Sequence, residues 1–229
     1  GRAAVTVRPD LPEALRYLGV SAPDDATLRL VEKAEGLLRR HAEPRFVHRL
    51  CDVLVRAGRV ELLGRAFESE SLSAHLFGCT HAVLFAMTLG AGVDRLIARY
   101  AQTDIALAAA LQAVAAAAVE AACDDYCRRL AEQAQRGELT GHAGYLTARF
   151  SPGYGDLPLH CQKDVLELLN APVRIGLTAT GSFMLAPGKS VTAFVGISPV
   201  PVQNCCCACQ LCGKKDCAFR KTDSNGANL

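Results

Sequence analysis

The run from Ile105 to Val119 limits what this chain can become more than any other stretch: fifteen residues pass without a charge, and most are alanine. Alanine is the strongest helix former, so the spacing predicts one long helix from about Asp104 to Gln135, ending near Gly137. A helix surfaced with methyl groups lets another layer approach closely, so it is expected to cover a sheet. The run is too short and too weakly apolar to be read as a membrane span.

Further along the same helix, Glu120, Cys123, Asp124 and Cys127 lie three or four residues apart and share one face. Two readings stay open. The thiols are small core residues and the acids are solvated, or Glu120 faces a ligand and accepts a hydrogen bond from its amine. The stretch Arg149-Phe150-Ser151-Pro152-Gly153-Tyr154-Gly155-Asp156 bears on that choice. Glycine on either side of Tyr154 permits positive φ and close approach, and Pro152 stiffens the turn. Arg149 offers a planar donor fork for a carboxylate or phosphate, and Tyr154 a ring face with a polar tip. Alone, the stretch is a tight turn with a solvated arginine. Opposite a carboxylate, it suits a zwitterionic amino acid.

Before the long helix, helices are expected near Leu11 to Leu18 and from about Asp24 to His41, with Arg39, Arg40 and His41 near the favourable C-terminal end of the dipole. Val47, Leu50, Leu54 and Ala57 recur at helical intervals, so Phe46 to Val60 reads as a helix, with a short strand from Val60 to Leu63 as the alternative. Residues 70–89 read as one continuous buried helix. Within it, Ser73-Ala74-His75-Leu76-Phe77-Gly78 approximates the D-x-H-x-x-G signature of cobalamin-binding domains, but Ser stands for Asp and no strand precedes it. His75 and His81 are therefore read as helix-face residues, not metal ligands. Gly90-Ala91-Gly92 reads as a turn between helices.

After Tyr154, Asp156 is expected to cap a helix carrying Pro158 in its first turn, with Cys161, Val165, Leu168 and Leu169 as its buried stripe. Strands are expected over Arg174 to Thr178 and over Ser190 to Ile197, where Val191, Ala193, Val195 and Ile197 alternate onto one face. The fold class is α+β, an antiparallel sheet covered by helices. The division expected is a helical N-terminal part over 1–100, an α+β core over 101–204 and a cysteine-rich tail over 205–229.

A formal charge of +2 and 6% aromatic residues, with no basic patch, argue against nucleic acid. The eleven cysteines are odd in number and six crowd into 205–217, poor geometry for a disulfide framework, which favours a reducing, cytoplasmic setting. Cys209, Cys212 and Cys217, with Cys205 or a neighbour as fourth ligand, have a spacing compatible with zinc or an iron–sulfur cluster. Redox-active thiols and a tail without metal remain open.

Taken together, several stretches resemble the activation domain of vitamin B12-dependent methionine synthase, in its stand-alone form. They are Arg149-x3-Gly153-Tyr154, the following Cys161-Gln162-Lys163, and the segment from Leu177 to Val191, with Arg16-Tyr17-Leu18-Gly19, Thr88-Leu89-Gly90 and Lys215 to Arg220. The resemblance implies an antiparallel sheet with flanking helices and a shallow groove for S-adenosylmethionine. It implies docking on a cobalamin-carrying methionine synthase or corrinoid protein, and one-electron reduction of its cobalt coupled to methyl transfer, with a donor such as flavodoxin or ferredoxin. By position, Arg149 would bind the methionine carboxylate and Glu120 a polar ligand group. Backbone groups of Ser151 and Gly153 would meet the adenosine, and Tyr154 the sulfonium or adenine. The family's further aromatic contacts have no counterpart, since no Tyr follows Tyr154. The alternative is a metal-thiolate or iron–sulfur module acting through the tail.

Overall fold

The computed structural model describes residues 9–202. Cys205, Cys209, Cys212 and Cys217, and with them the expected metal site, lie outside the described residues.

Helices α1 (Leu11–Leu18) and α2 (Asp25–His41) open the fold, capped by the Asp10 and Asp24 carboxylates, which accept from the amides of Glu13 and Thr27. Three antiparallel strands follow: β1 (Arg45–Arg56), β2 (Arg59–Leu62) and β3 (Arg65–Glu68). Next come the short helix α3 (Glu70–His75), strand β4 (His81–Thr88), helix α4 (Ala91–Ala101) and the long helix α5 (Ile105–Gln135). After the two-residue strand β5 (Tyr145–Leu146), a 3₁₀ turn at Leu159–Cys161 leads into α6 (Gln162–Leu169) and α7 (Ala171–Ile175). The small hairpin β6 (Thr178–Ala179) with β7 (Leu185–Ala186) precedes the last strand, β8 (Ser190–Ser198).

The main sheet has six antiparallel strands in the order β3-β2-β1-β4-β8-β5. On one face Val83, Phe85, Met87, Ala193, Val195 and Ile197 pack against Ala122, Cys123, Tyr126 and Leu130 of α5. On the other, Val47, Leu84, Ala86 and Phe194 pack against Leu72, Val165, Leu169 and Ile175 of the shorter helices. The far side of α5 is closed by α1, α2 and α4. The helix is thus sandwiched, and its alanines serve both layers. By length and composition α5 could cross a membrane, but 61% of its apolar window is buried inside the fold, which accounts for its composition.

The N-terminal hundred residues keep their helices and also supply four of the six strands. Two helical readings are corrected here. Residues 45–56 form β1, which carries apolar groups on both faces, so Leu50 and Leu54 fall on one side and Val47, Cys51, Val53 and Val55 on the other. That double facing imitates a helical period. Residues 70–89 break after His75, and His81–Thr88 is a central strand whose Ala82 to Thr88 are all buried, so no alternation shows in the sequence. Gly90 accordingly joins a strand to a helix. Arg174 and Ile175 close α7, and the pairing strand begins only at Thr178.

Candidate functional site

After β5 the chain keeps to the edge of β8. Thr147 N donates to Gly196 O (3.0 Å), and Phe150 and Phe194 exchange backbone hydrogen bonds at 2.9 and 2.7 Å. This register aims Arg149 at α5. Its Nη2 donates to Glu120 Oε2 at 2.7 Å, and its Nη1 lies 2.8 Å from Asp124 Oδ1, an ion-pair distance without hydrogen-bond geometry. The Arg149 side chain is 18% exposed, that of Glu120 32%. Burial opposes the guanidinium charge, but the Asp124 and Glu120 carboxylates beside it hold its pKa above the ordinary arginine range. Burial likewise pushes both thiols up, so Cys123 and Cys127 are neutral neighbours. The thiols are packed, and Glu120 and Asp124 are paired with Arg149 rather than left solvated. One guanidinium between two carboxylates leaves the cluster net negative.

Beyond Phe150 the chain turns sharply. Gly153 N donates to Leu157 O (2.9 Å), Tyr154 N to Ser151 O (3.0 Å) and Leu157 N to Tyr154 O (3.0 Å). Gly153 and Gly155 sit at φ +91° and +55°, conformations that the glycine pattern permits. The turn is anchored by Asp156, which caps not its own helix, as expected, but α3: its carboxylate accepts from Ser69 Oγ (2.5 Å), Glu70 N (2.8 Å) and Ser71 N (3.0 Å). Those donors hold it well below the usual carboxylate pKa. His75 at the end of α3 fixes the other side through Nε2–H to the Ala148 carbonyl (2.8 Å), and burial lowers its pKa.

A cleft of about 300 Å³ opens beside this turn. It is lined by Glu120 of α5, by Ser151, Pro152 and Tyr154 of the turn, by Leu159 and Gln162, by Phe183 and Met184 of the β6–β7 tip, and by Ser190 and Thr192 of β8. Tyr154 is about half exposed at the rim, and its ring meets Phe150 edge-on at 6.0 Å. Phe183 and Met184 come from the β6–β7 tip, where Thr180 N donates to Met184 O (2.8 Å) and Phe183 takes φ +64°. Lys163 Nζ stands 5.0 Å from the Phe183 ring centre. Asp94 fixes the second turn of this wall by accepting from Gly188 N at 2.6 Å.

Of the predicted residues, Glu120, Ser151 and Tyr154 line the cleft, Arg149 joins it through Glu120, and Gly153 shapes the turn. Gln162, Phe183, Met184 and Thr192 were not singled out as site residues. One signal was available: Gln162 is a polar side chain in helical phase with the buried Val165, Leu166 and Leu169. Among the described residues no group of three or more His, Cys, Asp or Glu is placed to hold a metal.

Fold and site thus define a helix-covered antiparallel α+β domain with a cleft lined by both polar and apolar side chains. Residues 77–203 match the family described as "Vitamin B12 dependent methionine synthase, activation domain", and the chain belongs to it. Its fold is also similar to the MetH reactivation domain solved with AdoHcy bound, at a TM-score of 0.57 and 19% identity, covering 85% of this chain and 71% of that one. No curated protein is similar enough to be matched.

Proposed function

We propose that this chain binds S-adenosylmethionine in the cleft. Docked on a separate cobalamin-carrying methionine synthase or other corrinoid protein, it supports reductive methylation of the inactive cobalamin there, with an electron from a donor such as flavodoxin or ferredoxin. The observation that carries this reading is that Glu120, ion-paired with Arg149, lines a cleft together with Tyr154 and the apolar Leu159, Phe183 and Met184. Family membership and the AdoHcy in the similar reactivation domain support it.

An amino-acid head group brings its own carboxylate and ammonium. Arg149 donates to the first in bidentate fashion and Glu120 accepts from the second, so one internal ion pair is exchanged for two external ones with no charge left unpaired. Asp124 keeps the guanidinium oriented during the exchange. Ser151 and Gly153 offer backbone groups along the adenosine, and the half-exposed Tyr154 ring faces the sulfonium. The net negative charge of the cluster complements the net positive charge of the ligand. The partner's cobalamin supplies the redox chemistry and accepts the methyl group; this chain holds that group still and in line.

The test is an anaerobic assay of methylcobalamin formation with a cob(II)alamin-loaded partner, S-adenosylmethionine and a reductant, with calorimetry alongside. Activity requiring the chain, and binding lost in Arg149→Ala but kept on truncation before Cys205, is expected. Absence of binding to every form refutes the proposal.

A further inference from the structure

Gln162 is 4% exposed yet lines the cleft, and Thr192, 2% exposed, donates from Oγ1 to its Oε1 at 3.1 Å. A buried amide is costly unless its polar groups are met. Here the oxygen accepts from Thr192, and Nε2 has no hydrogen-bond partner among the described residues. The Thr192 hydroxyl both donates and accepts, so it holds the amide in place in either orientation, and the amide presents an acceptor and an N–H side by side. Leu159, Phe183 and Met184 flank it with apolar surface, and Phe183 is held against that wall in a left-handed conformation that a bulky residue rarely adopts.

Resting on the binding proposal above, we propose that Gln162 reads the adenine base of the S-adenosyl ligand, with Thr192 as its positioning residue. An acceptor beside a donor is the complement of adenine's exocyclic N6–H and adjacent ring nitrogen, the pairing by which glutamine recognises adenine elsewhere. A 6-oxo purine presents two acceptors, O6 and N7, on that edge, so whichever way the amide turns its oxygen faces an acceptor, which such a site rejects strongly.

The experiment compares AdoHcy with S-inosylhomocysteine by calorimetry. The wild-type chain is expected to favour AdoHcy by roughly 10- to 100-fold, the discrimination of one bidentate pair. Gln162→Met brings that ratio close to one, and Thr192→Val lowers it part of the way by freeing the amide. Glu120→Gln weakens both ligands alike and preserves the ratio. Thermal melts check that the variants fold, and the wild-type ratio needs no variant at all. Equal binding of the two ligands to wild type, or an unchanged ratio in Gln162→Met, overturns the assignment and leaves the cleft's function standing. Binding of neither ligand to wild type overturns the cleft's function, and this assignment with it.

Discussion

Gly155→Ala tests the architecture of the site at its tightest point. Gly155 lies at φ +55°, and a Cβ built there meets Ser71 at the start of α3, 2.5 Å from Ser71 Cβ and closer still to its Oγ. The left-handed backbone costs a residue with a side chain about 1 kcal/mol or more, and overpacking at a contact that cannot relax adds roughly 1–3 kcal/mol. Relaxation is blocked because Ser71 N and Asp156 N, on either side of the contact, belong to the network by which Asp156 caps α3. The sum, about 2–5 kcal/mol, corresponds to a fall in Tm of roughly 4–20 °C for a chain of this size. Thermal melts monitored by circular dichroism read it directly. Ser71→Gly in the same chain removes the obstructing atoms, so the double variant recovers the overpacking part and leaves the backbone part. If Tyr154 is held by this turn, Gly155→Ala also loses S-adenosylmethionine affinity before it unfolds. A variant that melts with wild type, or a Ser71→Gly background that restores nothing, refutes the reasoning.

Tyr126 is 7% exposed and its hydroxyl makes no hydrogen bond among the described residues, so Tyr126→Phe is expected to raise stability by roughly 1 kcal/mol, read as a Tm gain of about 2–4 °C; a loss would show that the hydroxyl has a partner. Asp156 titrates below its ordinary value of 3.8 when folded, so its contribution is full above that pH and declines as pH falls. Denaturation curves of wild type and Asp156→Asn should therefore differ at neutral pH and converge in acid, and parallel curves would contradict the cap. The two carboxylates around Arg149 predict that the cationic S-adenosylmethionine binds more tightly than neutral AdoHcy by about 1 kcal/mol, roughly fivefold, at low ionic strength, narrowing as salt is added. Calorimetry at two salt concentrations checks this, and tighter AdoHcy binding would mean the cluster does not face the sulfonium.

Sequence reasoning succeeded where one physical cause dominated a stretch. Alanine fixes α5 because its propensity needs no tertiary support, and β8 alternates because its Val191, Ala193, Val195 and Ile197 face α5. It failed at β4, where both faces are buried and the apolar run has lost its period, and at β1, where apolar groups on both faces mimic a helix. The charged side of the cleft was legible, since Glu120 stands on a predicted helix face and Arg149 and Tyr154 bracket a glycine turn. The other wall was not. Gln162, Phe183 and Thr192 come from a helix, a hairpin tip and a strand, and only the antiparallel return of β8 beside the turn brings them together.

That division has a physical consequence for how the site is held. The charged side rests on α5 and on backbone bonds between Phe150 and Phe194, elements buried on several sides. The apolar wall hangs on a two-strand hairpin of two residues each, tied down by Asp94 at Gly188 and by Thr180 at Met184. Its exposed Met184 and its few ties give it a lower cost of opening than the sheet beneath it. On the proposed binding mode, the head group would engage residues set by the core, whereas the base would meet a wall that can yield. Asp94→Ala, which cuts the tie at Gly188, should raise amide exchange over residues 178–188 and, if the proposed base site is right, weaken AdoHcy, without changing exchange in α5. Equal protection of the hairpin in wild type and variant would show that the wall is held by packing alone.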